Sequence, residues 1–261
     1  MTCLASIRVC LRTLVSATAL LAAALTLSGC AATGRVATNR MHSSALSQMN
    51  SVQTTAVVPP EITLHQLSAG GVREQRDDWT EAARANARAT LEQMRPERMV
   101  YLRDVALPPE IAAELEEVKA LYRTIDANIT LFGNPMVGLP TALGRFDYSV
   151  GSVDKICEAV DADALLLIYG EDDYFTGSRK FMTGLGVVAS IAATAVTGTG
   201  VMVTPSSGTE HLSAALIARD GTLIWYEVLG PGRLGDLREP EGLRTTIENL
   251  LSSMPDGQAK E

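Results

Sequence analysis

The sequence predicts one α/β domain of roughly 200 residues, a mixed sheet with helices packed on it, standing behind a lipidated tether. Three observations carry this expectation. The run "ALLLIYG" (164–170) has no polar alternation, as a strand buried on both faces requires. Two alternating apolar runs flank Asp220-Gly221, the dipeptide that favours a tight hairpin turn. Three further stretches carry apolar residues at helical period.

In chain order, "EITLHQL" (61–67) alternates as a strand. "DDWTEAARANARATLEQM" (77–94) reads as a helix, with Asp78 as cap and Glu81 at the capping-box spacing. "RMVYL" (98–102) reads as a second strand. Pro108-Pro109 opens a long helix whose inward face is Ile111, Leu115, Val118, Leu121, Tyr122 and Ile125. Glu110, Glu114, Glu116 and Glu117 form its solvated acidic face. Residues 130–150 are loop-like, and Ser152 is placed to cap a short helix running through Val160. The hairpin follows the central strand, and "EPEGLRTTIENLLSSM" closes the domain as a helix with Leu243, Ile247, Leu250 and Leu251 inward. The expected order is β-α-β-α-loop-α-β-insert-β-β-α over 61–254, with a disordered tail over 255–261.

The amino terminus indicates location. Arg8 and Arg12 precede "LVSATALLAAALTL", a cationic and then apolar arrangement of secretory-signal length. It ends on Leu27-Ser28-Gly29-Cys30, which resembles the lipobox of bacterial lipoproteins. The resemblance implies cleavage after residue 29 and acylation of Cys30, palmitate included. One acyl chain binds a bilayer marginally and several anchor it stably, at ~0.8 kcal/mol per buried methylene. Ala31 and Ala32 follow Cys30, and by the same resemblance this points to the outer membrane, with the protein facing the periplasm. Residues 30–60 hold twelve Ser, Thr, Asn or Gln and no acidic residue, and end on Pro59-Pro60, so they are expected to form a flexible tether.

Removing residues 1–29 takes away two of the 22 basic residues and none of the 30 acidic ones, leaving 232 residues with a net charge of −10. So acidic a chain, without a basic stripe, argues against nucleic acid as a partner. Of four cysteines, Cys3 and Cys10 leave with the signal, Cys30 carries lipid, and Cys157 remains without an intramolecular partner. Its place on an inward helical position reads as a small core residue.

The helix before "ADALLLIYG", the insert after it, and "SAALIARDGTLIWYEVLG" with its closing helix resemble envelope lipoproteins related to the amino-terminal domain of TolB and to the curli secretion channel. Asp163-Ala164-Leu165 carries the central-strand motif, and Ile217 to Trp225 the hairpin motif. The resemblance covers about 150–254 and, more loosely, 60–130. It implies a scaffold, assembly factor or channel subunit, bound to an envelope complex or to copies of itself, with no shared active site.

Chemistry-bearing patterns are weak. His42, His65 and His211 stand at no metal-ligand spacing. Gly184-Leu185-Gly186 begins a Gly-x-Gly pattern that Ala189 breaks. No catalytic residue, cofactor site or metal site is therefore expected, and the protein is read as non-catalytic. An alternative is a binding module near 169–175, where Glu171, Asp172 and Asp173 follow a strand beside Tyr169, Tyr174 and Phe175 and could offer oxygen ligands to a small ligand or Ca²⁺.

The uncharged insert 181–209 is too short for a bilayer span. Gly198 and Gly200 limit a helix to Phe181–Thr197, about 25 Å at 1.5 Å per residue, against a hydrocarbon core of ~30 Å. Arg179-Lys180 flank it on the non-cytoplasmic side. Gly186, Ser190, Thr194 and Gly198 recur every fourth residue, so a close-packed helix, buried or facing another subunit, is expected, with a membrane-contacting element or an irregular Gly-rich lid as the alternatives.

Overall fold

A long strand down the middle organises everything else. The computed structural model describes residues 39–68, 70–94, 99–102, 105–132, 146–176 and 209–255. The central strand β6 runs Ala164–Phe175, and the mixed eight-stranded sheet has the order β1-β8-β7-β6-β2-β5, with β3 on β6 and β4 on β3. The remaining strands are β1 Asn39–Met41, β2 Thr55–Val57, β3 Glu61–Leu67, β4 Arg73–Gln75, β5 Met99–Tyr101, β7 Glu210–Ala218 and β8 Leu223–Leu229. The helices are α1 Ala45–Met49, α2 Asp77–Met94, α3 Pro109–Phe132, α4 Asp154–Ala159 and α5 Pro240–Leu251. The predicted α/β class stands.

Along one side β6 pairs antiparallel with β7 from Ala164↔Ala218 to Asp172↔Glu210. Along the other it takes two parallel partners in succession, β2 at 164–166 and β3 at 169–175. Val58-Pro59-Pro60 is the step between them, and Val58 N–H still donates to Leu166 O at 3.0 Å. The two prolines have no N–H, so the ladder pauses there.

The sheet is covered on both sides. Ala164, Leu166 and Ile168 of β6 face α1, α2 and α5, which contribute Met49, Leu91, Ile247 and Leu250. Leu165 and Leu167 face α3 and α4, which contribute Leu115, Val118, Tyr122, Ile156 and Cys157. This is the period-2 alternation of a strand buried on both faces. One irregularity sits in β8. Leu223 opposes Ile217 and Trp225 opposes Leu216, so Ile224 is an extra residue and the pair is bulged there. Ile224 and Trp225 consequently both join the α5-side core.

The expected hairpin forms as read. Gly221 turns at φ +85°, its N–H donates to Ala218 O at 2.8 Å, and Asp220 Oδ1 accepts the Thr222 N–H at 2.9 Å. The closing helix buries Leu243, Ile247, Leu250 and Leu251 as expected. Cys157 is free and buried, and burial pushes its thiol up to about 11.

Several expectations are corrected. The tether expected over 30–60 is folded chain from residue 39 onward. β1 pairs antiparallel with β8, α1 buries Ala45 and Met49, and β2 lies between β5 and β6. Asp163 Oδ2 accepts the N–H groups of Gln53 and Thr54, and its own N–H donates to Thr54 O, so long-range bonds hold a segment whose composition is loop-like. Leu121 is 49% exposed and Asp126 takes the inward place, because the stripe of α3 runs Leu115, Val118, Tyr122, Asp126, Ile129. Asp78 lies inside the first turn of α2 and its carboxylate takes the Arg76 guanidinium, so it does not cap the helix. Val153 is the N-cap of α4, although Ser152 Oγ accepts the Asp154 N–H at 3.3 Å. Glu171, Asp172 and Asp173 belong to β6 rather than to a loop beyond it. The cleavage site, Cys30, the insert 181–208 and the tail 256–261 lie outside the described residues.

Candidate functional site

The chemistry-bearing residues gather where β3 and β6 end and β7 begins. Strand alternation divides them between the faces of the sheet. Tyr169, Glu171 and Asp173 share the α3 face, whereas Asp172 and Tyr174 point to the α2–α5 face.

On the α3 face the groups form a connected polar network. Arg73, from β4, bridges two carboxylates, with Nη2 donating to Glu171 Oε2 at 2.6 Å and Nε to Asp173 Oδ1 at 2.7 Å. Tyr169 OH donates to the other Glu171 oxygen at 2.7 Å, and Asp173 Oδ2 accepts the Thr209 N–H at 2.8 Å. Burial works against ionisation of Glu171, but Arg73 and the Tyr169 hydroxyl outweigh it and its carboxyl titrates below the usual range. His65 Nδ1 lies 3.6 Å from Asp173 Oδ1 without a hydrogen bond. Burial, seconded by Arg73, holds its pKa below the usual imidazole value. Glu61, at the start of β3, receives Lys119 and Arg123 of α3 at 2.7 and 2.8 Å.

Deeper in the same face, Asp126 is 2% exposed and binds two elements at once. His211 Nε2 donates to its Oδ2 at 2.7 Å and Tyr226 OH to its Oδ1 at 2.8 Å. One turn earlier, the Tyr122 and Ser213 hydroxyls share a hydrogen bond of 2.9 Å. Both phenols titrate well above their ordinary range, first because they are buried and then because Asp126 is near. Together these bonds fasten α3 across β7 and β8.

The opposite face carries a second group. Asp172 stands directly across from Glu210 in the β6–β7 register. Glu210 Oε2 accepts the Gly232 N–H at 2.8 Å, and Tyr174 Oη accepts the Leu237 N–H at 2.7 Å while its proton goes to Asp172. The connection 230–239 is thereby held to the end of the sheet. Arg238 lies 4.0 Å above the Tyr174 ring and forks onto Asp236, and Arg76 lies 4.1 Å above Trp79. Such cation–π contacts contribute ~0.5–1 kcal/mol each at partly exposed sites.

Burial, with Glu210 opposite, pushes the Asp172 carboxyl up to about 6. The folded state then keeps this proton to a higher pH than the unfolded chain does. The contribution of Asp172 to stability therefore falls as pH rises from about 4 to about 6, the reverse of an ion-paired carboxylate. Asp172→Asn retains the acceptor for Tyr174 and removes the buried charge. The variant is expected to exceed the parent by about 2 kcal/mol at pH 7.5, with the gap closing at pH 4. Urea midpoints at the two pH values test this, and a variant no more stable than the parent at pH 7.5 refutes it.

Of the residues singled out in the sequence, Glu171 and Asp173 do meet, with Asp172 on the far side of the strand. The place between the two carboxylates is taken by Arg73, a cation supplied by the chain itself. His65 joins that group, His211 belongs to the Asp126 pair, and His42 bonds to Ser44 near the first strand. Among the described residues no three His, Cys, Asp or Glu side chains are grouped to hold a metal ion, and no helix is long and apolar enough to cross a membrane. A shallow depression lined by Val57, Pro59, Pro60, Arg88, Leu91 and Tyr101 has room for about one water. The partners that sequence reasoning missed are Arg73, Lys119, Arg123 and Asp126. An acidic residue four positions after an inward Tyr was the one available signal for Asp126. No protein-family model matches the chain, and no curated protein matches it.

Proposed function

We propose that the protein is a lipid-anchored scaffold or assembly lipoprotein of the bacterial envelope, facing the periplasm from the outer membrane and working by association rather than catalysis. The observation that carries this reading is Leu27-Ser28-Gly29-Cys30 at the end of a cationic and then apolar leader. The described domain supports it. Its charged groups at the sheet end are engaged with one another, Glu171 and Asp173 by Arg73, His211 by Asp126, Glu61 by Lys119 and Arg123. Such an arrangement braces a surface. The partner is a second copy of the chain or another envelope protein, and the anchor is the acyl chains on Cys30.

Cys30→Ala is expected to leave the protein unprocessed or soluble, read as loss of acyl label and of membrane sedimentation. A variant that is still cleaved, labelled and membrane-bound overturns the reading. Cross-linking in detergent extract, followed by sizing, identifies the associated protein. A monomer without a stoichiometric partner contradicts the scaffold.

A further inference from the structure

Two carboxylates face one another where β6 ends and β7 begins. Asp172 and Glu210 are directly opposed in the antiparallel register, and side chains so placed stand ~4.5–5.5 Å apart at Cβ on one face of the sheet. Asp172 is 5% exposed, whereas Glu210 is half-buried. The charged groups of the surrounding elements are engaged elsewhere. Arg76, just before α2, is held by Asp78 and Gln66, and Arg238 of the connection 230–239 forks onto Asp236. Arg244 of α5 pairs with Glu241 and Glu248. On β3 the residue opposite Asp172 is Leu64, and Asp173 and Arg73 lie bound to each other across the sheet.

Each carboxylate bears on the connection 230–239 by its own route. Asp172 takes the Tyr174 proton, and Tyr174 Oη accepts the Leu237 N–H at 2.7 Å. Glu210 Oε2 accepts the Gly232 N–H at 2.8 Å. The later half of the connection has further support, from Gly235 N–H on Thr246 Oγ1 at 2.8 Å and from the burial of Leu237. The earlier half is held less firmly. Pro231, Gly232 and Arg233 are exposed, and Arg233 reaches Glu227 only at 3.8 Å.

We propose that Asp172 and Glu210 form a proton-operated latch on the turn 230–233. With a proton on Asp172, Glu210 stays inward and holds the Gly232 N–H. Without it, two like charges oppose each other in register, an arrangement that disfavours the pair. Glu210 is the longer and less buried of the two, so it swings to solvent and releases the turn. Tyr174 holds Asp172 in both states, so the Leu237 bond persists. Burial of Asp172, with Glu210 opposite, puts the change at about pH 6, the turn being closed below and open above. The latch involves described residues alone and is independent of the lipid anchor.

The test follows amide hydrogen exchange in the full isotope-labelled chain in detergent at pH 5 and pH 7.5, each rate being divided by its intrinsic value at that pH. Protection of Gly232 is expected to fall about fivefold or more between the two, and that of Leu237 to stay within about twofold. Asp172→Asn and Glu210→Gln keep an acceptor oxygen and remove the opposed charges. In both variants Gly232 is expected to have the same protection at the two pH values. Protection of Gly232 that does not fall in the parent, or that falls as much in either variant, overturns the latch. A parallel loss at Leu237 overturns it as well, because the connection then opens as a whole.

Discussion

Replacing Asp126 with alanine is expected to lower the unfolding free energy by about 3–5 kcal/mol, a large share of the 5–15 kcal/mol that holds an ordinary domain. The carboxylate is 2% exposed and each oxygen takes one donor, His211 Nε2 on β7 and Tyr226 OH on β8. Truncation strands the fully buried Tyr226 hydroxyl and takes the carboxylate from the partly buried His211, and a buried donor without a partner costs ~1–3 kcal/mol. It also leaves a cavity beneath the helix. Asp126→Asn keeps one acceptor for Tyr226 and is expected to lose about half as much. Urea unfolding followed by tryptophan fluorescence measures both variants, and a loss below about 1 kcal/mol for the alanine variant contradicts the fastening role.

The second large effect belongs to Gly221. Its φ of +85° is left-handed, a region where a side chain costs ~1–2 kcal/mol. A Cβ at this position would also stand 1.8 Å from the carbonyl oxygen of Gly151, and backbone cannot retreat as a flexible side chain does. The two penalties are independent, and Gly221→Ala is expected to cost about 3–4 kcal/mol in total. Gly151 provides the comparison. It is also left-handed, at φ +78°, but a Cβ there meets nothing within 4 Å. Gly151→Ala is expected to cost about 1 kcal/mol. Equal losses for the two alanine variants would show that the close approach carries no weight.

Most elements legible in the sequence are long enough to show a period, the short β5 and α4 excepted. α2, α5 and the β7–β8 hairpin each repeat a pattern over seven residues or more, and the core of β6 shows itself as a continuous apolar run. β1, β2 and β4 have three residues each and α1 has five, too few for any periodicity. Their stability is non-local, as the Asp163 bonds to Gln53 and Thr54 show. The end of β6 misled for another reason. Three consecutive acidic residues disfavour a strand, but Arg73 takes Glu171 and Asp173, the Thr209 backbone also binds Asp173, Tyr174 takes Asp172, and pairing on both sides overrides local preference. At the candidate site the residue types were visible and their partners were not. Arg73 lies 98 positions from Glu171, and Asp126 lies 85 from His211. In α3, Ile125 and Asp126 compete for the inward slot, and only Tyr226 and His211 across the interface decide for the acid.

The pairing of β1 with β8 has a consequence for the order in which the domain is completed. Arg40 meets Tyr226 nearly 190 residues further along the chain. Synthesis runs from the amino end, so residues 39–41 exist long before the strand that receives them, and the loop their meeting closes is among the longest the domain offers. The outer edge of the sheet is therefore a checkpoint on chain completion. A chain interrupted before β8 keeps β1 unpaired, with its N–H and C=O groups open to water or to another chain. The first strand made is among the last to be seated.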